Sequence, residues 1–169
     1  LQNSFATRAR RAHFFGHLQP LQLKYMHETP FLIRDTPDGR QIFDPLRRRY
    51  VPLTPEENVR QRFVHFLISQ RGFPAGLIGN EVMVRINGMS KRCDTLVCDR
   101  SGKPKMIIEY KAPTVPISQK VFDQISRYNT VMHVDYLIVS NGKTTFCARM
   151  NYDTLSFDFL PEIPHYENL

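Results

Sequence analysis

The stretch Lys105-Met-Ile-Ile-Glu-Tyr-Lys111 constrains the fold of this 169-residue chain more than any other. Met106, Ile107 and Ile108 predict a buried strand, yet Glu109 and Lys111 follow directly. Side chains alternate along a strand, so these two charges share one face. The preceding strand carries a second anomaly, because Asp94 stands just before the apolar run Thr95-Leu-Val97. The turn Arg100-Ser-Gly102 joins the two strands, so they are expected to be neighbours, with Asp94 close to Glu109 and Lys111.

The rest of the chain supplies a frame for that strand pair. Phe31–Arg34 and Gln41–Phe43 flank the turn signal Asp35-Thr-Pro-Asp-Gly39, which predicts a short β region. Thr54-Pro-Glu-Glu57 starts a helix: Thr54 caps it, Pro55 suits its first position and Glu57 completes a capping box. Val59, Phe63, Phe66 and Leu67 form its apolar stripe, and Arg71-Gly-Phe-Pro74 ends it. Glu81–Ile86, Asn87-Gly88 and Lys91–Cys98 read as a tight hairpin. A second helix runs from Ser118 to about Met132, followed by strands at Asp135–Ser140 and Lys143–Met150 and a further one at Leu155–Leu160. This order predicts an α/β (α+β) domain with a mixed central sheet flanked by helices. Its expected extent is residues 20–160, between a basic, weakly ordered tail (1–19) and a loose C-terminal tail (161–169).

Net charge is +7, which invites a nucleic-acid partner. Most of it is N-terminal: residues 1–49 carry 9 basic and 4 acidic side chains, residues 50–169 carry 14 and 12. His13 and His17 in the tail have helical spacing without a further ligand and read as solvated. No apolar run approaches a membrane span. The three cysteines, Cys93, Cys98 and Cys147, suit a reduced, cytoplasmic protein better than a secreted one. Cys93 and Cys98 are expected on opposite faces of their strand and do not suggest a zinc site.

Two carboxylates side by side on a partly buried surface repel each other, and a divalent cation removes the conflict. Magnesium prefers oxygen ligands, commonly one or two carboxylates with waters and phosphate oxygens. Lys111 beside it would orient or deprotonate a water, or neutralise transition-state charge. On spacing alone, a structural salt bridge between Lys111 and one acid explains the pattern equally well.

Asp94 followed by Ile108-Glu109-Tyr110-Lys111-Ala112-Pro113 resembles the PD-(D/E)xK nuclease motif in its D…ExK form, although Cys93 stands where the proline would be. Three further segments fit in order. Glu56-Glu57-Asn58-Val59-Arg60-Gln61 resembles the acid-bearing first helix, Gln124–Tyr128 resembles the Gln-x-x-x-Tyr motif, and Tyr136–Gly142 resembles the strand and turn that follow. The ordered set, over roughly residues 20–150, is most similar to the N-terminal nuclease domain of type I restriction enzyme endonuclease (R) subunits. The resemblance implies a restriction-endonuclease-like α/β/α core and Mg²⁺, or Mn²⁺, held by Asp94, Glu109 and the Tyr110 backbone carbonyl. It implies phosphodiester hydrolysis near Lys111, leaving a 5′-phosphate and a 3′-hydroxyl. Glu57 is the expected helix acid, as a metal ligand or behind one, with Glu56 the close competitor. Gln124 and Tyr128 share a helix face and would hold a phosphate or order Lys111 and water. Glu81 is a weaker acid candidate and reads more as a strand-surface residue. Arg47–Arg49, Arg60, Arg92 and Arg127 would contact the phosphate backbone.

The expected partner is DNA, with a separate ATP-dependent translocase or restriction-modification subunit supplying the motor. Gly142-Lys143-Thr144 is not a phosphate-binding loop, because Leu137 stands where its first glycine belongs and a strand follows instead of a helix. RNA as substrate and a catalytically weak binding or scaffold module of the same fold are the rival readings.

Overall fold

The structure is a computed structural model that describes residues 19–21, 23, 31–86 and 88–169. The basic tail, with His13 and His17, lies outside the described residues apart from residue 19, as does Asn87 of the hairpin turn. Strands β1 (Ile33–Thr36), β2 (Gly39–Asp44) and β3 (Arg49–Pro52) form an antiparallel three-stranded sheet. Helix α1 (Pro55–Arg71) follows, then β4 (Ile78–Ile86), β5 (Met89–Cys98) and β6 (Pro104–Tyr110). Helix α2 (Gln119–Met132) crosses over to β7 (Tyr136–Ser140), and β8 (Thr145–Asn151) and β9 (Ser156–Phe159) complete the chain of strands. The six-stranded sheet has the order β4-β5-β6-β7-β8-β9, and β6 with β7 is its one parallel pair.

The period-two alternation of β6 explains the layering. Met106, Ile108 and Tyr110 pack with Val59, Phe63, Phe66 and Leu67 of α1. Ile107 faces the other way, onto Val121, Phe122 and Ile125 of α2. A strand apolar on both faces needs cover on both, and the two helices supply it. The α1 boundaries follow local chemistry. Thr54 Oγ1 accepts the Glu57 backbone N–H at 3.0 Å, and Gly72 adopts the left-handed φ of 70° that ends the helix. Only half of the capping box forms, because the Glu57 carboxylate turns towards Arg47, Arg60 and Gln61 instead.

Two sequence expectations fail here. Residues 161–169 are not a loose end: Ile163 is fully buried against α1 and β6, and Tyr166 stacks edge-on against Phe73 with ring centroids 5.5 Å apart. Cys93 and Cys98 do not face opposite ways; both pack on the α2 side, because the alternation breaks between Cys93 and Leu96, where the β4–β5 pairing skips Asp94, while Leu96, Val97 and Cys98 still alternate. All three cysteines are free thiols. No helix among the described residues is long and apolar enough to cross a membrane. The Gly142 segment is the β7–β8 turn, in which Asn141 Oδ1 accepts the Lys143 and Thr144 backbone N–H groups.

Replacing Ile163 with Ala should cost about 2–5 kcal/mol of stability, as for other fully buried aliphatic side chains. Urea unfolding measures it, and a loss below about 0.5 kcal/mol would show that the C-terminal segment does not belong to the core.

Candidate active site

The strand register brings the anomalous charges together. Thr95 pairs with Ile108, so one further step sets Asp94 opposite Glu109, where the two strands leave the ladder. Glu109 shares the face of Ile107, beneath α2, and Gln124 of that helix donates to Glu109 Oε1 at 2.6 Å. Lys111 Nζ donates to the same oxygen at 2.7 Å. The Tyr110 backbone N–H donates to Asp94 Oδ2 at 2.8 Å, so the backbone of β6 fixes the acid of β5.

Arg60 reaches the cluster from α1. Its side chain is 5% exposed, and its guanidinium contacts Glu57, Glu81 Oε1 at 2.7 Å and Asp94 Oδ1 at 3.0 Å. It also lies over the Tyr110 ring, 5.6 Å from the centroid. Arg60 is therefore a buried counter-ion that ties α1 to β4 and β5, not a group on a nucleic-acid-contacting rim. Glu57 holds Arg60 and Arg47 and accepts from Gln61 Nε2 at 2.8 Å, so it sits behind the cluster rather than among its acids. Glu56 is the helix acid whose charge meets Asp94 and Lys111. Arg47 is likewise mostly buried, on Asp44 and Glu57, while Arg48, Arg49, Arg92 and Arg127 are exposed. The Tyr128 hydroxyl donates to the Arg92 carbonyl at 2.9 Å and pins β5, within range of the charges of Glu109 and Asp94.

Asn80 escapes a sequence reading, and the sequence assigns Arg60 and Glu81 to the surface where the structure gives them partly or fully buried roles. Asn80 Nδ2 donates to Asp44 Oδ2 at 3.0 Å and its carbonyl accepts from Thr95 Oγ1 at 2.7 Å, joining the small sheet to the large one. Glu81 is partly buried rather than a plain surface residue. Its left-handed φ of 58°, uncommon for a side-chain-bearing residue, lies at the step where the β4–β5 pairing skips Asp94. The one available signal was Glu81's place opposite Asp94 in the hairpin register.

The electrostatics follow from burial. Glu109 is pushed up to about 7, first by burial and then by the charge of Asp94, against a smaller opposing effect of Lys111. Burial also raises Asp94, despite the Tyr110 N–H and Arg60, and raises Glu56. Burial acts most strongly against the Lys111 charge, but its bond to Glu109 together with the charges of Glu109, Glu56 and Asp94 outweighs that and holds the amine above the usual lysine range. The cluster is thus short of positive charge even with Lys111 and Arg60 in place. A hard divalent cation fits that deficit, and Asp94, Glu109 and the Tyr110 carbonyl are oxygen donors of the right kind. Among the described residues no three His, Cys, Asp or Glu side chains gather at ligating spacing, so such a site would rest on two carboxylates and a carbonyl.

Two outcomes follow. Arg60→Ala leaves Glu57, Glu81 and Asp94 facing one another and should cost roughly 3–5 kcal/mol in chemical denaturation; a loss under about 1 kcal/mol would contradict the counter-ion role. Glu109 holds its proton more tightly in the folded state, so its contribution to stability is complete below about 4.5 and is lost as pH rises through about 7. The metal-free midpoint should therefore fall between those values more steeply in the wild type than in Glu109→Gln, and Mg²⁺ should restore it above pH 7. Parallel pH profiles for the two proteins would refute this.

The family model described as "Type I restriction enzyme R protein N terminus (HSDR_N)" matches residues 55–164, from the start of α1 to just beyond Ile163. No curated relative matches the chain. A fragment structure assigned to an HsdR subunit of a type I restriction enzyme from Vibrio vulnificus YJ016 is similar at 20% identity and a TM-score of 0.48. That match covers 64% of this chain and 23% of the other, so this chain spans about a quarter of its length. With the family match spanning well over half of its residues, the chain belongs to the type I restriction enzyme R protein N-terminal family.

Proposed function

We propose that this chain is a metal-dependent nuclease domain that hydrolyses phosphodiester bonds in DNA. The observation that carries the reading is the Asp94–Glu109–Lys111 cluster. A partly buried and a buried carboxylate, both of raised pKa, lie on adjacent strands where the β5–β6 pairing ends, beside an ammonium group bonded to one of them. A structural salt bridge does not need the second acid, whereas a cation site does.

Asp94, Glu109 and the Tyr110 carbonyl would hold Mg²⁺, which when bound offsets the charge that builds on the phosphoryl oxygens. The protein's own groups have separable tasks. Gln124 and Lys111 orient Glu109, and the Tyr110 N–H and Arg60 orient Asp94. Lys111, kept protonated by Glu109, is suited to donate to an attacking water or to the phosphoryl oxygen rather than to take a proton. Membership of the R-subunit N-terminal family supports a place beside a translocase and other restriction subunits.

The test is cleavage of supercoiled plasmid and linear DNA with Mg²⁺ or Mn²⁺. Asp94→Asn, Glu109→Gln and Lys111→Ala should each lower the rate roughly 100-fold or more. Cleavage that survives all three substitutions would sink the proposed site. Absence of both cleavage and calorimetric Mg²⁺ binding in the wild type would sink the function.

A further inference from the structure

Arg60 is ringed by more acid than a counter-ion to one carboxylate needs. Its Nη2 lies 2.7 Å from Glu81 Oε1, 3.0 Å from Asp94 Oδ1 and 4.0 Å from Glu56 Oε1. Those three carboxylates come from β4, β5 and α1, and a fourth, Glu57, holds Nη1. Charge rather than hydrogen bonding places this head. Its Nε is buried without a partner, which is rare for a buried donor. Glu81 delivers its carboxylate from a left-handed φ of 58°, a conformation that carries strain in a residue with a side chain.

Several carboxylate oxygens from separate elements around one positive centre are the surroundings a hard divalent ion takes. Phosphodiester-cleaving sites with two ions set them close together. Asp94 is the acid common to both halves of this cluster, because it meets Arg60 through Oδ1 and stands opposite Glu109 across the strand pair. The two halves differ in how their acids are met. On the Arg60 side, Glu57 also holds Arg47, and Glu81 Oε2 holds Arg92 at 2.8 Å. On the other side, Lys111 is the one cation paired with Glu109 among the described residues.

We infer that Arg60 stands in the place of a second cation, so that the cluster accepts one divalent ion, on the Glu109 side, while Glu56 and Glu81 are kept from ligating another. The inference rests on the nuclease reading and deepens it by naming the number of ions and the residue that sets it. Arg60 acts through Asp94 and Glu81 and is a positioning residue.

Titration with Mn²⁺, followed by the EPR signal of the free ion, counts bound ions independently of cleavage. The wild type should take up one ion per chain. Arg60→Gln removes the charge but keeps a polar head, and should take up two. Arg60→Lys restores a cation and should take up one, as should Arg60→Gln combined with Glu81→Gln. Cooperative thermal melting checks folding. Where Arg60→Gln melts without cooperativity in EDTA, saturating Mn²⁺ should restore it, because the ion replaces the guanidinium. Two ions in the wild type or in Arg60→Lys, one in folded Arg60→Gln, a second ion indifferent to Glu81, or no recovery in saturating Mn²⁺ overturns the inference. Plasmid cleavage reads the nuclease assignment separately. Cleavage by a wild type that binds two ions removes the one-ion inference alone, whereas a wild type that neither binds Mn²⁺ nor cleaves removes the nuclease reading and the inference with it.

Discussion

The structure turns on one electrostatic problem: carboxylates held close together at the end of a buried strand pair. Asp94 and Glu109 are brought side by side by the β5–β6 register, and burial raises both. Two cations are recruited against that repulsion. Lys111 bonds Glu109, Arg60 bonds Asp94, and Arg60 is in turn fixed by Glu57 and Glu81. Such a network matters through its geometry more than its strength, since a buried ion pair gains little over apolar packing but is costly to break on one side.

The same network explains why the elements meet where they do. Helix α1 delivers Arg60 to the sheet because its apolar stripe fixes its rotation against Met106, Ile108 and Tyr110. Helix α2 delivers Gln124 to the opposite face because Val121, Phe122 and Ile125 pack on Ile107 and Leu137. The small sheet is joined by polar contacts, Arg47 to Glu57 and Asn80 to Asp44. The acid cluster therefore sits where three elements converge, and packing on both faces of β6 sets its geometry.

Much of the fold was legible in the sequence. The capping residues of α1, the Gly72 stop, the hairpin and the order of elements along the chain all emerge from local rules, because turn chemistry and apolar periodicity act over a few residues. The candidate acids were legible for the same reason, since a charge directly after Met-Ile-Ile in a strand breaks a local pattern. The failures share one cause, which is distance along the chain. Arg60 reads as a surface cation until β4 and β5 close over it. The partition of Glu56 and Glu57 depends on which face of the α1 start meets Arg47, and that arginine comes from beside another sheet. Ile163 reads as tail sequence because nothing local marks its burial.

Local residue patterns were enough to set the element order, the apolar character of β6 and the presence of Asp94, Glu109 and Lys111 on neighbouring strands. Alternation and turn signals are properties of adjacent residues, so they need no knowledge of the rest of the chain. Folding in three dimensions was needed to settle which cations neutralise those acids, that the Tyr128 hydroxyl bonds the β5 backbone, and that the C-terminal segment is core. Those outcomes depend on contacts between residues tens of positions apart, whose pairing is fixed by packing and desolvation once the sheet and both helices are in place.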